Sequence, residues 1–166
     1  MLDAATQLDF YGGGGLDVAF LGFGEFDETG SVNVSRLGGV TVGPGGFIDI
    51  AQNAKKVVFC GTLAAKGVKL ATGDGQMRVL QQGAVQKLVK QVDQITFSGP
   101  QSVVRGQEVL YLTERASFRL TPEGIELFEI APGIDLQRDV LDQMAFAPRV
   151  AQPLATMAAT HFLASA

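Results

Sequence analysis

Three observations in the sequence predict an α/β fold with an open, mainly parallel sheet and β-hairpins in its second half. A glycine-rich loop separates a strand-like run from a helix-like run, and another strand-like run follows. Strand, loop, helix and strand make one crossover unit of such a sheet. The runs "LDVAFLGFGEF" and "VVFCGTL" are almost continuously apolar, as strands buried on both faces are. The second half instead alternates polar and apolar residues around the turn signals "GDG" and "PEG".

Each element follows from its own residues. "QLDFYGGGGLD" is polar and glycine-rich and reads as a loop. Leu16 to Phe26 reads as a buried strand. "DETG" is a turn that Asp27 opens and in which Gly30 can take positive φ. "SVNVSRL" alternates like a half-buried strand. Beyond Gly46, Phe47, Ile50, Ala51 and Ala54 recur at helical spacing, with Lys55 and Lys56 where cations complement a helix C-terminus. "VVFCGTL" then forms a short buried strand, which makes Cys60 a buried cysteine. "GDG" closes a hairpin. "VQKLVKQVDQITFSG" is ambiguous between helix and strand, although β-branching favours strand from Ile95 to Phe97; Lys87 and Lys90 read as a solvated face. "EVLYLTERASFRLTPEGIELFEIAPG" is a hairpin with Glu114, Arg115 and Arg119 on its outer side. "GIDLQRDVLDQMAF" reads as a helix capped by Asp135, with Leu136, Val140, Leu141 and Met144 on one face. The tail after Pro153 is weakly helical.

Composition narrows the function. A chain of 166 residues with 46% apolar and 18% charged residues suits a globular domain. A net charge of −4 offers no basic footprint, so nucleic acid is not expected as a partner. The single Cys60 cannot form an internal disulfide, and neither it nor the lone His161 belongs to a metal-ligand pattern. The N-terminus lacks the features of a signal peptide, and no apolar run approaches the ~18 residues of a membrane span. The expectation is a cytoplasmic protein without metal or membrane contact.

The segment "VGPGGFIDI" carries the chemistry to be weighed. Gly43, Gly45 and Gly46 leave one loop almost without side chains just before a helix. Either the backbone bends there as only glycine can, or a ligand approaches the main chain closely. In the second case the backbone N–H groups would attract a phosphate or a developing oxyanion. The loop is not a P-loop, since no lysine followed by Ser or Thr comes after the glycines. It is not a dinucleotide fingerprint either, because Phe47 and Ile48 stand where G-x-G-x-x-G wants x-G. Asp9, Asp17, Glu25, Asp27, Glu28 and Asp49 crowd the same half, but their spacing singles out no acid–base pair.

Several runs together resemble the family I CoA-transferases. They are "LDFYGGGGLDVAFLGFGEFDETGSVNVSRLG", "GPGGFIDIAQNAKKVVFCGT", "QITFSG", "GQEVLYLTERASFRLT" and "IELFEIAPGIDLQRDVL". The likeness is to the acetate or propionate/3-ketoacid type, at the C-terminal part of its β-like half, and extends to about Phe146. It implies an open sheet of the CoA-transferase type, with residues 1–166 forming a single partial domain. It further implies CoA transfer between an acyl-CoA and a short-chain carboxylate or 3-keto acid, through a thioester on a glutamate. CoA is then a substrate, and no permanently bound cofactor is expected. The resemblance puts Gly43, Gly45 and Gly46 beside the thioester as an oxyanion and CoA-binding segment; Pro44 has no N–H to give. It leaves Asn33, Gln52 and Asn53 as candidates lining the site.

The family's nucleophilic glutamate sits in a Glu-Ser-Gly or Glu-Asn-Gly motif, and this sequence contains neither. No catalytic residue is therefore assigned. The chain is expected to be inactive alone and to work in a homo- or hetero-oligomer, with an upstream half or α-like subunit as partner. The alternative is a non-catalytic CoA-binding or scaffold subunit.

Overall fold

A computed structural model describes residues 3–163, so the outermost residues of the N-terminal segment and of the tail lie outside it. Its centre is a six-stranded sheet whose spatial order follows the chain: β1 (Val18–Gly22), β2 (Lys56–Cys60), β3 (Glu108–Leu112), β4 (Ala116–Thr121), β5 (Gly124–Ile130) and β6 (Arg149–Thr156). The first three strands run parallel, β3 to β5 form an antiparallel meander, and β6 pairs parallel with β5. The mainly parallel α/β sheet with hairpins in the second half is therefore observed.

The first crossover is the expected one. β1 leads through the glycine loop into helix α2 (Phe47–Asn53) and back to β2. Phe47 and Ala51 bury one face of α2, and the Phe47 ring stacks on Phe59 of β2 at 5.8 Å. The helix ends before the lysines: Ala54 is extended at ψ 142°, Lys55 pairs with Asp17 at 2.6 Å, and Lys56 opens β2.

Other elements depart from expectation for local reasons. The segment read as an N-terminal loop is helix α1 (Ala4–Gly12), because Asp3 caps it by accepting from the Thr6 N–H at 2.8 Å. Its glycines only end it. Leu16 to Phe26 is not one strand. The chain leaves the sheet at Phe23–Gly24, and Glu25–Asp27 joins a small separate sheet with Val32–Asn33 and Leu88–Val89. A Cβ on Gly24 would lie 2.6 Å from the Leu37 side chain and 2.8 Å from the Asn33 carbonyl oxygen, so only glycine lets the chain turn there. The predicted helix after Asp135 is one π-helical turn (Leu136–Val140) and one 3-10 turn (Leu141–Gln143), capped by Asp135 as expected. The tail carries β6 rather than a helix and ends in a 3-10 turn, Ala159–Phe162. In the Lys69–Gly73 and Gln76–Gln81 hairpin, Asp74 at φ 53° and Gly75 at φ 74° form the two-residue turn that "GDG" announced.

The core lies on one face of the sheet. Val57 and Phe59 of β2, Val109 and Tyr111 of β3 and Phe118 of β4 pack there with Phe26, Phe47 and Phe97. The buried Tyr111 hydroxyl donates to the Gly30 carbonyl, and burial, with Asp27 nearby, raises its pKa well above the ordinary value. Gly30 holds φ 78°, as the turn required.

The opposite face is different. Phe20, Val58 and Leu110 are register partners across β1, β2 and β3, and their side chains point away from the core. Phe20 is 71% exposed and Val18 44%. Cys60, expected to be buried, is exposed on this face. So "LDVAFLGF" contains an edge strand covered on one side only.

Candidate functional site

The carboxyl ends of parallel strands in an open α/β sheet are where backbone and loops are free to meet a ligand. Here β1, β2 and β3 end at Gly22, Cys60 and Leu112, and the segments beyond them converge. Phe23 follows β1. Gly61 follows β2 so tightly that a Cβ on it would lie 2.6 Å from the Phe23 ring. Thr113–Arg115 turns β3 into β4, the Thr113 N–H donating to the Ala116 carbonyl at 2.9 Å.

The glycine loop stands at this same end, since α2 runs from it back to the start of β2. Gly43 and Gly45 hold φ 80° and 55°, in the left-handed region that favours glycine. A Cβ at either would meet nothing within 4 Å, so close packing is not why side chains are absent there. The Gly43 N–H is used, donating to the Ser35 carbonyl at 3.1 Å. Among the described residues, neither the Gly45 N–H nor the Gly46 N–H donates to any group. Gly45 and Pro44 are exposed and Gly46 partly so. Two unused backbone donors on adjacent residues can together hold one oxygen of negative charge.

Asn33 reaches this end but is not open to it. It is completely buried. Its Nδ2 donates to Glu25 Oε1 at 2.8 Å and to the Arg36 carbonyl, while its Oδ1 accepts from the Ser35 and Arg36 N–H groups, both at 3.0 Å. Asn33, a candidate for lining the site, thus builds the turn into the Arg36–Thr41 hairpin that carries the glycine loop. Gln52 and Asn53 lie at the far end of α2. Asn53 ties that end to α1 through the Gly12 carbonyl at 2.8 Å and accepts from Arg105 at 3.3 Å. The buried Gln52 Nε2 has no partner among the described residues. The structure therefore brings Gly43, Gly45 and Gly46 together but leaves Gln52 and Asn53 apart from them.

A cluster at the strand ends was not foreseen. Lys87, read as solvated, is buried with its Nζ 4.0 Å above the centre of the Phe23 ring. Burial lowers its pKa, and the Glu114 carboxylate works in the opposite direction. Glu114 Oε2 accepts from the Leu63 N–H at 2.8 Å, and Oε1 accepts from Arg115 Nε at 2.9 Å. Arg115, expected on an outer face, is fully buried and also donates to Gln82 Oε1 at 2.7 Å and to the Asp139 carbonyl at 3.0 Å. One sequence signal does mark this place. Inward residues fall at odd positions in β3 (Val109, Tyr111) and at even positions in β4 (Ala116, Phe118), so the alternation slips by one residue between them.

Glu25 accepts on Oε1 from Asn33 and from the Asp93 N–H at 2.9 Å, while both oxygens of Glu114 are engaged as described. Among the described residues no cluster of His, Cys, Asp and Glu could hold a metal ion, and no helix is long and apolar enough to cross a membrane.

In sequence and in fold the chain resembles the family I CoA-transferases. The acetate CoA-transferase YdiF of Escherichia coli O157:H7 is 46% identical over 166 residues, covering 100% of this chain and 31% of YdiF. The caffeate CoA-transferase of Acetobacterium woodii is 46% identical over 161 residues, covering 94% of this chain and 30% of that protein. The crystal structure of YdiF from E. coli O157:H7, as a thioester complex with CoA, superposes with a TM-score of 0.97 over 100% of this chain and 32% of its own. The chain thus spans about a third of the length of these relatives. The decarboxylase AibA/AibB, 18% identical, shares the fold alone, with a TM-score of 0.68 over 99% of this chain and 59% of its own. No family model matches the chain.

Proposed function

We propose that this chain is the part of an acyl-CoA:carboxylate CoA-transferase that carries the backbone oxyanion site. The observation that carries the reading is the pair of free N–H groups at Gly45 and Gly46, in a chain whose whole length is 46% identical to 31% of YdiF. A thioester carbonyl attacked by a carboxylate becomes an oxyanion, and fixed N–H donors stabilise that charge more than the ground-state carbonyl. The glycines leave room for the thioester to approach the main chain. The sequence has no Glu-Ser-Gly or Glu-Asn-Gly motif, so the nucleophilic carboxylate comes from outside residues 1–166. CoA enters as acyl-CoA substrate, and the acceptor is a carboxylate.

The test is to assay CoA transfer from an acyl-CoA to acetate with this chain alone and with the YdiF polypeptide outside the matched region added. Turnover is expected only in the mixture. Hydroxylamine trapping of a CoA thioester on any glutamate of the isolated chain would refute the assignment of the nucleophile. A mixture that associates but never transfers CoA would refute the function.

A further inference from the structure

We infer that Lys87 binds the carboxylate of the acceptor substrate at the carboxyl ends of the sheet. The inference rests on the function proposed above and adds a substrate contact that the glycine loop does not supply. Lys87 is 9% exposed, and its Nζ lies 4.0 Å above the centre of the Phe23 ring. Among the described residues that Nζ makes no hydrogen bond and no ion pair. The carboxylates around it are engaged elsewhere. Glu114 accepts from the Leu63 N–H on Oε2 and from Arg115 Nε on Oε1. Glu25, which precedes the Phe26–Leu88 register pair as Lys87 does, accepts on Oε1 from Asn33 and from the Asp93 N–H. Two cations thus share Glu114, and of the two only Arg115 touches it. The Arg115 Nη2, also buried, has no partner among the described residues. An ammonium taken out of water without an anion in contact destabilises the fold, and burial accordingly lowers the Lys87 pKa.

Place and chemistry select the ligand. Phe23 follows β1, and its ring packs against Gly61 just beyond β2, so Lys87 stands where an open α/β sheet meets its ligands. Gly24, the next residue, lies against Leu37 of the hairpin that carries the glycine loop. The chain as a whole carries a net charge of −4, so an anion is drawn in only where a local cation overrides that field. A lysine is a point charge with three donors. Its field is partly met by Glu114, which leaves too little for a phosphate dianion and enough for a carboxylate monoanion. The Phe23 ring beside it suits a ligand with a short apolar end. A short-chain carboxylate has both parts.

Acetate is the probe. Saturation-transfer NMR on the isolated chain should show acetate bound by the unsubstituted protein and not by Lys87→Met, with acetamide bound by neither. Lys90→Met is the control for charge alone, since Lys90 is exposed and pairs with Glu28 at 3.5 Å; acetate binding should survive it. In the enzyme reconstituted with the YdiF polypeptide outside the matched region, Lys87→Met should raise the KM for acetate about 10- to 100-fold, the loss expected for a hydrogen bond to a charged group. The KM for the acyl-CoA and kcat should stay within a few-fold. Tm should hold or rise, because an unpaired buried charge has been removed. Acetate binding that ignores Lys87→Met, an acyl-CoA KM that moves as far as the acetate KM, or a fall in Tm that accounts for the activity lost would each overturn the assignment. CoA transfer with an unchanged acetate KM would overturn it and leave the function standing. Lys87-dependent acetate binding in a mixture that never transfers CoA would support the site and overturn the function. Weaker association of Lys87→Met with the added polypeptide, at an unchanged acetate KM, would give the lysine to a side-chain carboxylate of that polypeptide and overturn its role toward substrate.

Discussion

Removing a single N–H tests whether the glycine loop acts on a reacting oxygen. Gly46 has φ −83°, close to the value proline imposes, and its N–H donates to nothing among the described residues. Gly46→Pro therefore deletes a donor that folding does not use. Gly46→Ala is the matched control, since it keeps the donor. A Cβ at this position lies 3.4 Å from Leu8 Cδ2 and 3.8 Å from Ile50 Cδ1, which is ordinary contact. The preceding Gly45 has no Cβ to clash with the proline ring, which leaves only its N–H against the ring, and the Tm of the variant measures that cost. Each variant should cost no more than about 1 kcal/mol of stability, or about 3 °C in Tm for a chain of this length.

Activity should separate the two. Loss of one oxyanion donor costs about 3–4 kcal/mol in the transition state, a fall of roughly 100- to 1,000-fold in kcat. The assay is CoA transfer by the reconstituted enzyme, with Tm measured on the same samples. Gly46→Ala should stay within a few-fold of the unsubstituted protein, and Gly46→Pro should lose activity without losing Tm in proportion. Equal activity in the two variants, or a Tm loss that accounts for the whole activity loss, would refute the oxyanion role.

Three further outcomes follow from the packing. Arg115→Met removes a buried cation and leaves Glu114 with a carboxylate oxygen unpaired; calorimetry should show a loss of about 3–5 kcal/mol, or roughly 10 °C, and less than 1 kcal/mol would mean the cluster is not coupled. Gly61→Ala drives a Cβ into the Phe23 ring and should cost about 1–3 kcal/mol, with Phe23→Leu beside it recovering part of that in a double-mutant cycle. Asp139 is buried, and its hydrogen bonds from Arg138 hold its pKa below the ordinary aspartate range. The unfolded chain then binds that proton first, so the contribution of Asp139 is complete above the ordinary aspartate value of about 3.9 and is lost as pH falls through the lower folded value. Urea titrations from neutral to acid pH should show a flatter acid limb in Asp139→Asn, and an unchanged limb would remove Asp139 from the acid response.

What the sequence disclosed and what it hid divide along physical lines. The crossover around the glycine loop was legible because its signals are local: apolar strands, a glycine stop, then Phe47 and Ala51 at helical spacing. The "GDG" hairpin was legible for the same reason, since Asp74 and Gly75 alone set its turn. Helix α1 was hidden because its stability comes from the Asp3 cap and packing against α2, whereas its composition is dominated by the glycines that end it. The break at Gly24 was hidden because its cause is tertiary, the nearness of Leu37 and the Asn33 carbonyl.

The misplaced cations share one cause. By residue type Lys87 and Arg115 read as surface residues, since a lysine or arginine is mostly exposed; Asn33 is buried beside them. All three are buried where the ends of β1, β2 and β3 converge, because at that end partners exist: the Phe23 ring for Lys87, Glu114 and Gln82 for Arg115, and backbone groups for Asn33. Charge burial is paid for only where such partners are already fixed in place. Of the three, Asn33 builds the turn into the hairpin that carries the glycine loop. Two N–H groups can stabilise a developing oxyanion only if they do not have to reorganise when the charge appears. On the function proposed above, the buried Asn33 is therefore the residue that holds this backbone still, fixing through the Ser35 and Arg36 N–H groups the hairpin from which the glycine loop departs.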